Sequence, residues 1–413
     1  MNILTDVLKL PELLSPAGDL TRLKAAVDYG ADAVYLAGEE FGMRTAATNF
    51  GEEDLKAGIE YAHSRGVKVH VTCNTIPHNA EMPRLPAFLE QLNDLKADAI
   101  IAADLGTMGL VKKYAPNCDL HISVQSGICN YETARAFYNL GAKRVVLARE
   151  LSLDEIAEIR AKTPMDLEIE AFAHGAMCVS FSARCLLSSY MTGRDANRGD
   201  CAQSCRWSYS LMEEKRPGQY FDITETDKGT YILNANDMCM AEHLDKMIAA
   251  GVDSIKLEGR AKSHYYVAVV TNAYRGALDS IKNTASAWKC PAWVTEELNK
   301  ISHRTYSTGF YLGQPVNSQT YENAGYVRDY SVAAIVDGYG DGKIIATLKN
   351  KFLRGQRLDC LEPKSSPFPV CADELFDGDD NPIESAPRPM MTVKIPFPRP
   401  VKSGALLRME SVN

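Results

Sequence analysis

The stretch ELLSPAGDLTRLKAAVDYGADAVYLAG (12–38) decides the fold. Its two ends, ELLSPAG and AVYLAG, are short apolar runs that stop at glycine, as buried parallel strands do. Between them, LTRLKAAVDYG sets Leu20, Leu23, Ala26 and Val27 at helical spacing and closes on Gly30 as a C-cap. A strand, a helix and a second strand in so short a span make one β/α step.

The step recurs along the chain. Further strand-like runs are KVHVTCNT (68–75), AIIAAD (99–104), LHISVQSG (120–127), RVVLARE (144–150), LEIEAFAHG (167–175) and SIKLEGR (254–260). Amphipathic stretches lie between them, such as EEDLKAGIEYAHSRG (52–66) and SLDEIAEIRAK (152–162), where Ser152 and Glu155 form a capping box. Eight such steps predict a (β/α)8 TIM-like barrel over residues 1–281, a fold that takes about 250 residues. The competing architecture, a doubly wound open sheet, begins with a glycine-rich phosphate loop, and SPAGDL is not one.

The step from the seventh strand to the eighth is abnormally long. It carries an insertion, residues 176–250, and a loop after a barrel strand emerges at the C-terminal face where barrel active sites are built. After AKSHYYVAVVTNAYRGALDSI (261–281), read as the closing helix, residues 282–324 form a connector. Residues 325–413 alternate strands and turns, which predicts a small all-β, barrel-like domain. Its GDGK (340–343) is a hairpin turn signal, and the G-x-G-x-G pattern at 338–342 is a turn rather than a phosphate cradle.

Composition narrows the function classes. A chain of 413 residues with 46% hydrophobic residues can build a full core. The opening MNILTDVLKLPELL carries Asp6 and no basic n-region, so it does not read as a secretory signal. No apolar run approaches the roughly 20 residues of a membrane span, so the expectation is a soluble, cytoplasmic protein with no membrane partner. An odd count of 11 cysteines argues against a disulfide framework. Cys73, Cys118 and Cys129 read as inert packing thiols. A net charge of −8 does not advertise nucleic-acid binding, yet Arg184, Arg194, Arg198, Arg206, Lys215 and Arg216 cluster inside the insertion.

The same insertion holds Cys178, Cys185, Cys201 and Cys205 in a C-x6-C-x15-C-x3-C pattern. Four thiolates on one segment can close a tetrahedral zinc site or hold an iron–sulfur cluster. Spacing leaves both open, as well as unligated thiols, and Cys239 is a reserve ligand. Gln125, Arg149, His174, Glu258 and Arg260 each stand at the C-terminal end of a strand and converge on the barrel mouth. Gln125, His174 and Glu258 are the candidate catalytic residues. Arg149 and Arg260 are candidate substrate ligands, because guanidinium groups bind carboxylates in bidentate fashion. No HExxH or GxSxG hydrolase motif is present.

The stretch EAFAHGAMCVSFSARCLLSSY (170–190) resembles the signature of peptidase family U32, the collagenase-like peptidases. ELLSPAGDL, GADAVYLAG, NTIPH, VVLARELS, GRDANRGDCAQSCRW and SIKLEGRAKSHYYV extend the likeness over nearly all of residues 12–270, and the β-rich tail resembles the C-terminal domain of longer members. Within the family the chain is most similar to the prephenate-dependent proteins that 5-hydroxylate the wobble uridine of tRNA. Other members hydroxylate ribosomal RNA or act in ubiquinone synthesis. The resemblance implies a [4Fe-4S] cluster. Ubiquinone-pathway relatives hold one on cysteines matching Cys178, Cys185 and Cys201, and the C-x3-C pair of another relative matches Cys201 and Cys205. Joining all four into one set is an inference, since each of those relatives takes a ligand from elsewhere. The implied partners are prephenate as co-substrate, the tRNA anticodon region, and a paralogous family member or a second copy of the chain. The alternatives are a collagenase-like peptidase and a non-catalytic iron–sulfur scaffold for a paralogous hydroxylase.

Overall fold

The computed structural model describes residues 9–43, 49–178, 180–181, 184–207, 225–226, 229–230, 235–282, 288–313 and 330–411. The start of the N-terminal stretch, Lys215 and Arg216, and the end of the connector lie outside the described residues. The chain divides into two compact units. One comprises Met1–Val27, Ala31–Lys262 and His303–Tyr326; the other comprises Asp28–Gly30, Ser263–Ser302 and Val327–Asn413.

In the first unit the chain alternates β1 (Glu12–Pro16), α1 (Leu20–Asp28), β2 (Ala33–Leu36), α2 (Glu52–His63), β3 (Lys68–Cys73) and α3 (Leu85–Asp94). It continues with β4 (Ala99–Ala102), α4 (Leu105–Tyr114), β5 (Asp119–Ile122), α5 (Tyr131–Asn139), β6 (Arg144–Val146), α6 (Leu153–Lys162) and β7 (Glu168–Ala176). The insertion contributes α7 (Leu187–Thr192), a two-residue ladder of β8 (Glu225–Thr226) with β9 (Gly229–Thr230), and β10 (Asp237–Cys239). Then come α8 (Leu244–Ala249) and β11 (Ser254–Leu257). Neighbouring strands β1 to β7 pair in parallel, and β11 pairs in parallel with both β7 and β1, which closes the expected eight-stranded barrel. Local chemistry sets the helix starts. Asp104 accepts from the Thr107 amide at 3.0 Å, Asn130 from Thr133 at 2.8 Å, and Ser152 and Glu155 form the reciprocal capping box.

The barrel interior departs from the branched aliphatic filling usual in this fold. Arg144 of β6, 2% exposed, donates to Glu12 at 2.6 Å, Glu168 at 2.6 Å, Glu170 at 3.0 Å and Ser254 at 3.1 Å. Lys256 of β11 meets Glu170 at 2.8 Å and lies 4.4 Å over the Tyr35 ring. His70 and His121 touch edge to face with centroids 4.7 Å apart, and their buried Nδ1 atoms have no hydrogen-bond partner among the described residues. Burial, reinforced by the Arg144 charge, pushes His70 down to about 3 and His121 well below its ordinary value, so both are neutral. The strand runs read as nearly continuous apolar segments, yet alternate positions carry charge into the interior.

Two pieces of chain beyond the barrel strands matter for the mouth. The long β7 runs past its barrel partners and takes β10 antiparallel, pairing His174 with Cys239. Within the stretch expected as a connector, β12 (Tyr306–Ser307) pairs in parallel with β10, and the Tyr311 hydroxyl donates to the Phe172 carbonyl at 2.7 Å.

The second unit combines α9 (His264–Lys282) and α10 (Ala292–Asn299) with β13 (Tyr330–Gly340), β14 (Lys343–Leu348), β15 (Phe352–Leu353), β16 (Arg357–Leu361), β17 (Phe368–Cys371), β18 (Phe376–Asp377), β19 (Ser385–Ala386), β20 (Thr392–Pro396) and β21 (Leu406–Glu410). Seven of these strands form one antiparallel sheet, ordered β17-β16-β21-β13-β14-β20-β18, around an apolar core that includes Val336, Ile344, Leu358, Val393 and Leu407. Gly340 pairs with Lys343 across Asp341 (φ 49°) and Gly342 (φ 73°), which is the tight hairpin that GDGK predicts. In this unit Arg408 is buried against Glu297 at 2.6 Å and Asp359 at 2.6 Å.

Candidate functional site at the barrel mouth

The C-terminal strand ends are held close by glycines. A Cβ on Gly175 (φ 105°) would lie 2.3 Å from the Glu258 carbonyl oxygen, and one on Gly18 would lie 2.2 Å from the Arg260 carbonyl oxygen. Only glycine lets the ends of β1 and β7 pass that near the chain leaving β11. The Glu258 amide donates to the His174 carbonyl at 2.8 Å, and the Glu258 carboxylate accepts from the Tyr35 hydroxyl at 3.1 Å.

Gln125 sits in the single 3-10 turn Val124–Ser126 that follows β5. Ser123 accepts the Gln125 amide proton at 3.4 Å, and Gly127 leaves the turn in the left-handed region at φ 66°. The Gln125 side chain is 2% exposed, and neither its oxygen nor its nitrogen has a hydrogen-bond partner among the described residues. The Thr72 hydroxyl of β3 is buried in the same condition. Each such group costs about 1–3 kcal/mol while unmet, so this pair is suited to a polar ligand. Thr72 and Arg260 both border Gly42. The point where a Cβ would stand on Gly42 is 3.3 Å from Thr72 Oγ1 and 3.5 Å from Arg260 Nη1.

His174 is buried, and burial pushes it down to about 3 against the pull of Asp237, so it is a neutral imidazole. Its ring is 5.4 Å from Tyr306, which in turn stacks on His303 at 4.2 Å. The Asp237–Arg304 pair, at 2.6 Å, fixes this returning segment. Arg149 donates to the Ala176 carbonyl at 2.9 Å and its guanidinium lies 3.7 Å over the Phe172 ring, while its buried Nε has no hydrogen-bond partner among the described residues. Arg149 therefore anchors the root of the insertion, and Arg260, like Thr72, borders Gly42. Sequence reading missed Thr72, His303, Arg304 and Tyr306. The connector motif SHRTYSTGFYLG was the only hint of the last three.

The insertion is seated on this mouth. The Ile76 amide, after β3, donates to the Asn197 carbonyl at 3.3 Å; Arg198 pairs with Glu81 at 2.9 Å; and Phe181 reaches to 3.5 Å from the Cβ point of Gly127. Cys178, Cys185 and Cys205 are half-buried and Cys201 is exposed. The Leu187 amide points at the Cys185 sulfur, 3.3 Å away, and the Gln203 amide at the Cys201 sulfur, 3.4 Å away. Gln203 takes the left-handed conformation, φ 57°, to make the second of these turns. An N–H two residues on is placed to donate to a cysteine sulfur that holds a metal. Among the described residues no three His, Cys, Asp or Glu side chains converge on a single-ion site. The fit to a thiolate-held group therefore rests on the donor set and these backbone N–H groups. Cys239 stands across from His174 on β10. By contrast, burial raises the thiols of Cys73, Cys118 (to about 12) and Cys129, which keeps them protonated.

Exposed Phe181, Leu186, Tyr190, Met191 and Trp207 flank the cysteines. Arg184 is exposed among them, and Arg194 is paired with Asp200 at 2.7 Å. A cavity of about 780 Å³ lies at the other end of the barrel, lined by Lys68, His70, Asp119, His121, Lys143 and Arg144 among others. It is remote from the strand ends that carry Gln125, His174 and Arg260. Among the described residues no helix is long and apolar enough to cross a membrane.

Comparison with known proteins gives two family matches, the peptidase family U32 over residues 18–321 and the peptidase family U32 C-terminal domain over residues 328–408. The tRNA hydroxylation protein P1 of Bacillus subtilis is 36% identical, over 97% of this chain and 95% of its own length. An uncharacterized protease of Methanocaldococcus jannaschii is 42% identical, over 79% of this chain and 81% of its own. The tRNA hydroxylation protein P of Escherichia coli is 35% identical, over 98% of this chain and 97% of its own.

Proposed function

The chain belongs to peptidase family U32, and from that premise we propose that it hydroxylates RNA, specifically the wobble uridine of tRNA at C5 in a prephenate-dependent reaction. The observation that carries the reading is the cysteine-bearing insertion seated over buried, unmet polar groups at the barrel mouth. The near-full-length likeness to two tRNA hydroxylation proteins supports the RNA substrate.

In this reading Cys178, Cys185, Cys201 and Cys205 hold a [4Fe-4S] cluster, which supplies one-electron chemistry when bound. Arg260, which borders Gly42 as Thr72 does, takes a carboxylate of prephenate, and Arg149 holds the base of the insertion. Gln125 offers one donor and one acceptor to the edge of the base or to the co-substrate. His174, a neutral imidazole, is available for hydrogen bonding to the bound substrate, and Glu258 is kept in place by Tyr35. The target base leaves its stack to reach the mouth. Phe181, Tyr190 and Trp207 supply exposed rings for it and its neighbours, and Arg184 a cation for the backbone.

Two measurements test this. Anaerobically purified protein should be brown and carry iron and sulfide in a cluster ratio; a colourless protein with one zinc per chain sinks the redox part. Deleting the gene, with any paralogue, should remove 5-hydroxyuridine from tRNA, and re-expressing Arg260→Ala should not restore it. Unchanged modification in the deletion refutes the substrate. The peptidase reading, favoured by the name of the archaeal relative, requires cleavage of gelatin by purified protein with neither metal nor prephenate.

A further inference from the structure

We infer that Asn197 and Ser188 form a metal-independent clasp that positions the Cys185 and Cys201 backbones for loading; this rests on the cysteines holding the cluster proposed above. The Asn197 side chain grips Cys185 at both ends. Its Oδ1 accepts from the Cys185 amide at 3.3 Å, and its Nδ2 donates to the Cys185 carbonyl at 3.1 Å. The grip is returned from the other side. Ser188, three residues past Cys185 and 2% exposed, accepts the amide proton of Ala202, next to Cys201, at 3.0 Å. Each cysteine-bearing segment therefore holds the other through a side chain that carries no ligand.

The clasp is itself anchored. Asp195 accepts the Asn197 amide at 2.9 Å, and the Asn197 carbonyl takes the Ile76 amide of the loop after β3 at 3.3 Å. The Cys185 and Cys201 segments are thus tied to the barrel by protein contacts, the Ile76 hydrogen bond and the neighbouring Arg198–Glu81 pair. Asparagine suits the position because it presents a donor and an acceptor from one planar group. Aspartate keeps the acceptor but sets a carboxylate oxygen against the Cys185 carbonyl. Asn197 and Ser188 are positioning residues: neither supplies a ligand or touches substrate.

The test uses the full-length, metal-free chain and its reconstituted form, comparing wild type with Asn197→Ala, Asn197→Asp and the milder Ser188→Ala. In metal-free protein, trypsin should cut at Arg184, Arg194 and Arg198 at least about tenfold faster in the Asn197 variants than in wild type, while the barrel unfolds at an unchanged denaturant midpoint. After anaerobic reconstitution with iron and sulfide, those variants should lose iron to a chelator about 10–100-fold faster, the usual effect of removing a group that orients a ligand. Ser188→Ala should fall between. Equal cleavage and equal chelation rates in all four proteins overturn the clasp. If wild type takes up no iron or sulfide, the cluster reading fails, and the trypsin comparison still decides whether the clasp exists.

Discussion

The two ends of the barrel use the same strands differently. Toward the N-terminal end, Arg144 is enclosed by Glu12, Glu168 and Glu170, and Lys256 completes the group. Toward the C-terminal end, Gln125 and Thr72 are as deeply buried, yet their polar atoms are met by no described residue. A closed ion network is finished business for the folded state, and breaking it exposes buried charge. An open polar group is a standing cost that a ligand can relieve. The contrast matches the general division of barrels into a stabilising face and a functional face.

The contrast can be broken by experiment. Arg144→Met should give the largest effect. It leaves buried carboxylates without their cation and should lower unfolding free energy by about 3–5 kcal/mol, read from the denaturant midpoint. A midpoint like wild type would show that the network is not what holds this end.

Acid should act next. His70 folds with its pKa lowered from 6.5 to about 3, so the unfolded chain binds the extra proton between those values. Its contribution is fully present above about pH 6.5 and declines as pH falls, by about 1.4 kcal/mol per unit inside the window. His121 and His174 act in the same direction. Below them Glu170 adds to the loss: burial raises it, but Lys256 and Arg144 outweigh burial and lower it, so it resists protonation in the fold. Denaturation curves at pH 7.5 and 5.5 should show the drop, and His70→Asn should flatten it; an equal slope in both proteins removes His70 from the account.

Gln125→Leu should reverse the Arg144 pattern. Hydroxylation should fall at least about tenfold, while stability changes by less than about 1 kcal/mol or rises, because unmet polar atoms are removed. A loss of stability as large as that of Arg144→Met would make Gln125 structural. The smallest effect is expected at Ser152→Ala, which removes one helix cap and should cost about 1 kcal/mol with modification unchanged.

Much of this was legible along the chain. Short runs between helical stretches gave the strand count, because a parallel strand buried on both faces must be nearly free of polar breaks. The Ser152–Glu155 box and the turn at Asp341 and Gly342 are local rules obeyed locally. The polar barrel interior was not legible. In KVHVTC and EIEAFAH the charged and aromatic positions alternate with aliphatic ones, and only the closed register shows that the polar set points inward. Nor did the sequence show that α9, read as the helix closing the barrel, groups with the C-terminal unit, or that residues 303–313 group with the barrel unit.

By itself the sequence determined the β/α repeat, the place of the insertion after β7, and the inventory of thiols, arginines and strand-end polar residues. Those follow from periodicity and order, which are properties of neighbours along the chain. Tertiary structure alone decided which of those groups are satisfied and which are open. Arg144 finds Glu12 across 132 residues of chain, and Asn197 finds both Cys185 and Ile76, whereas the Gln125 side-chain amide has no hydrogen-bond partner among the described residues. Satisfaction of a buried polar group depends on what folding brings beside it, and no spacing rule along a single chain carries that information.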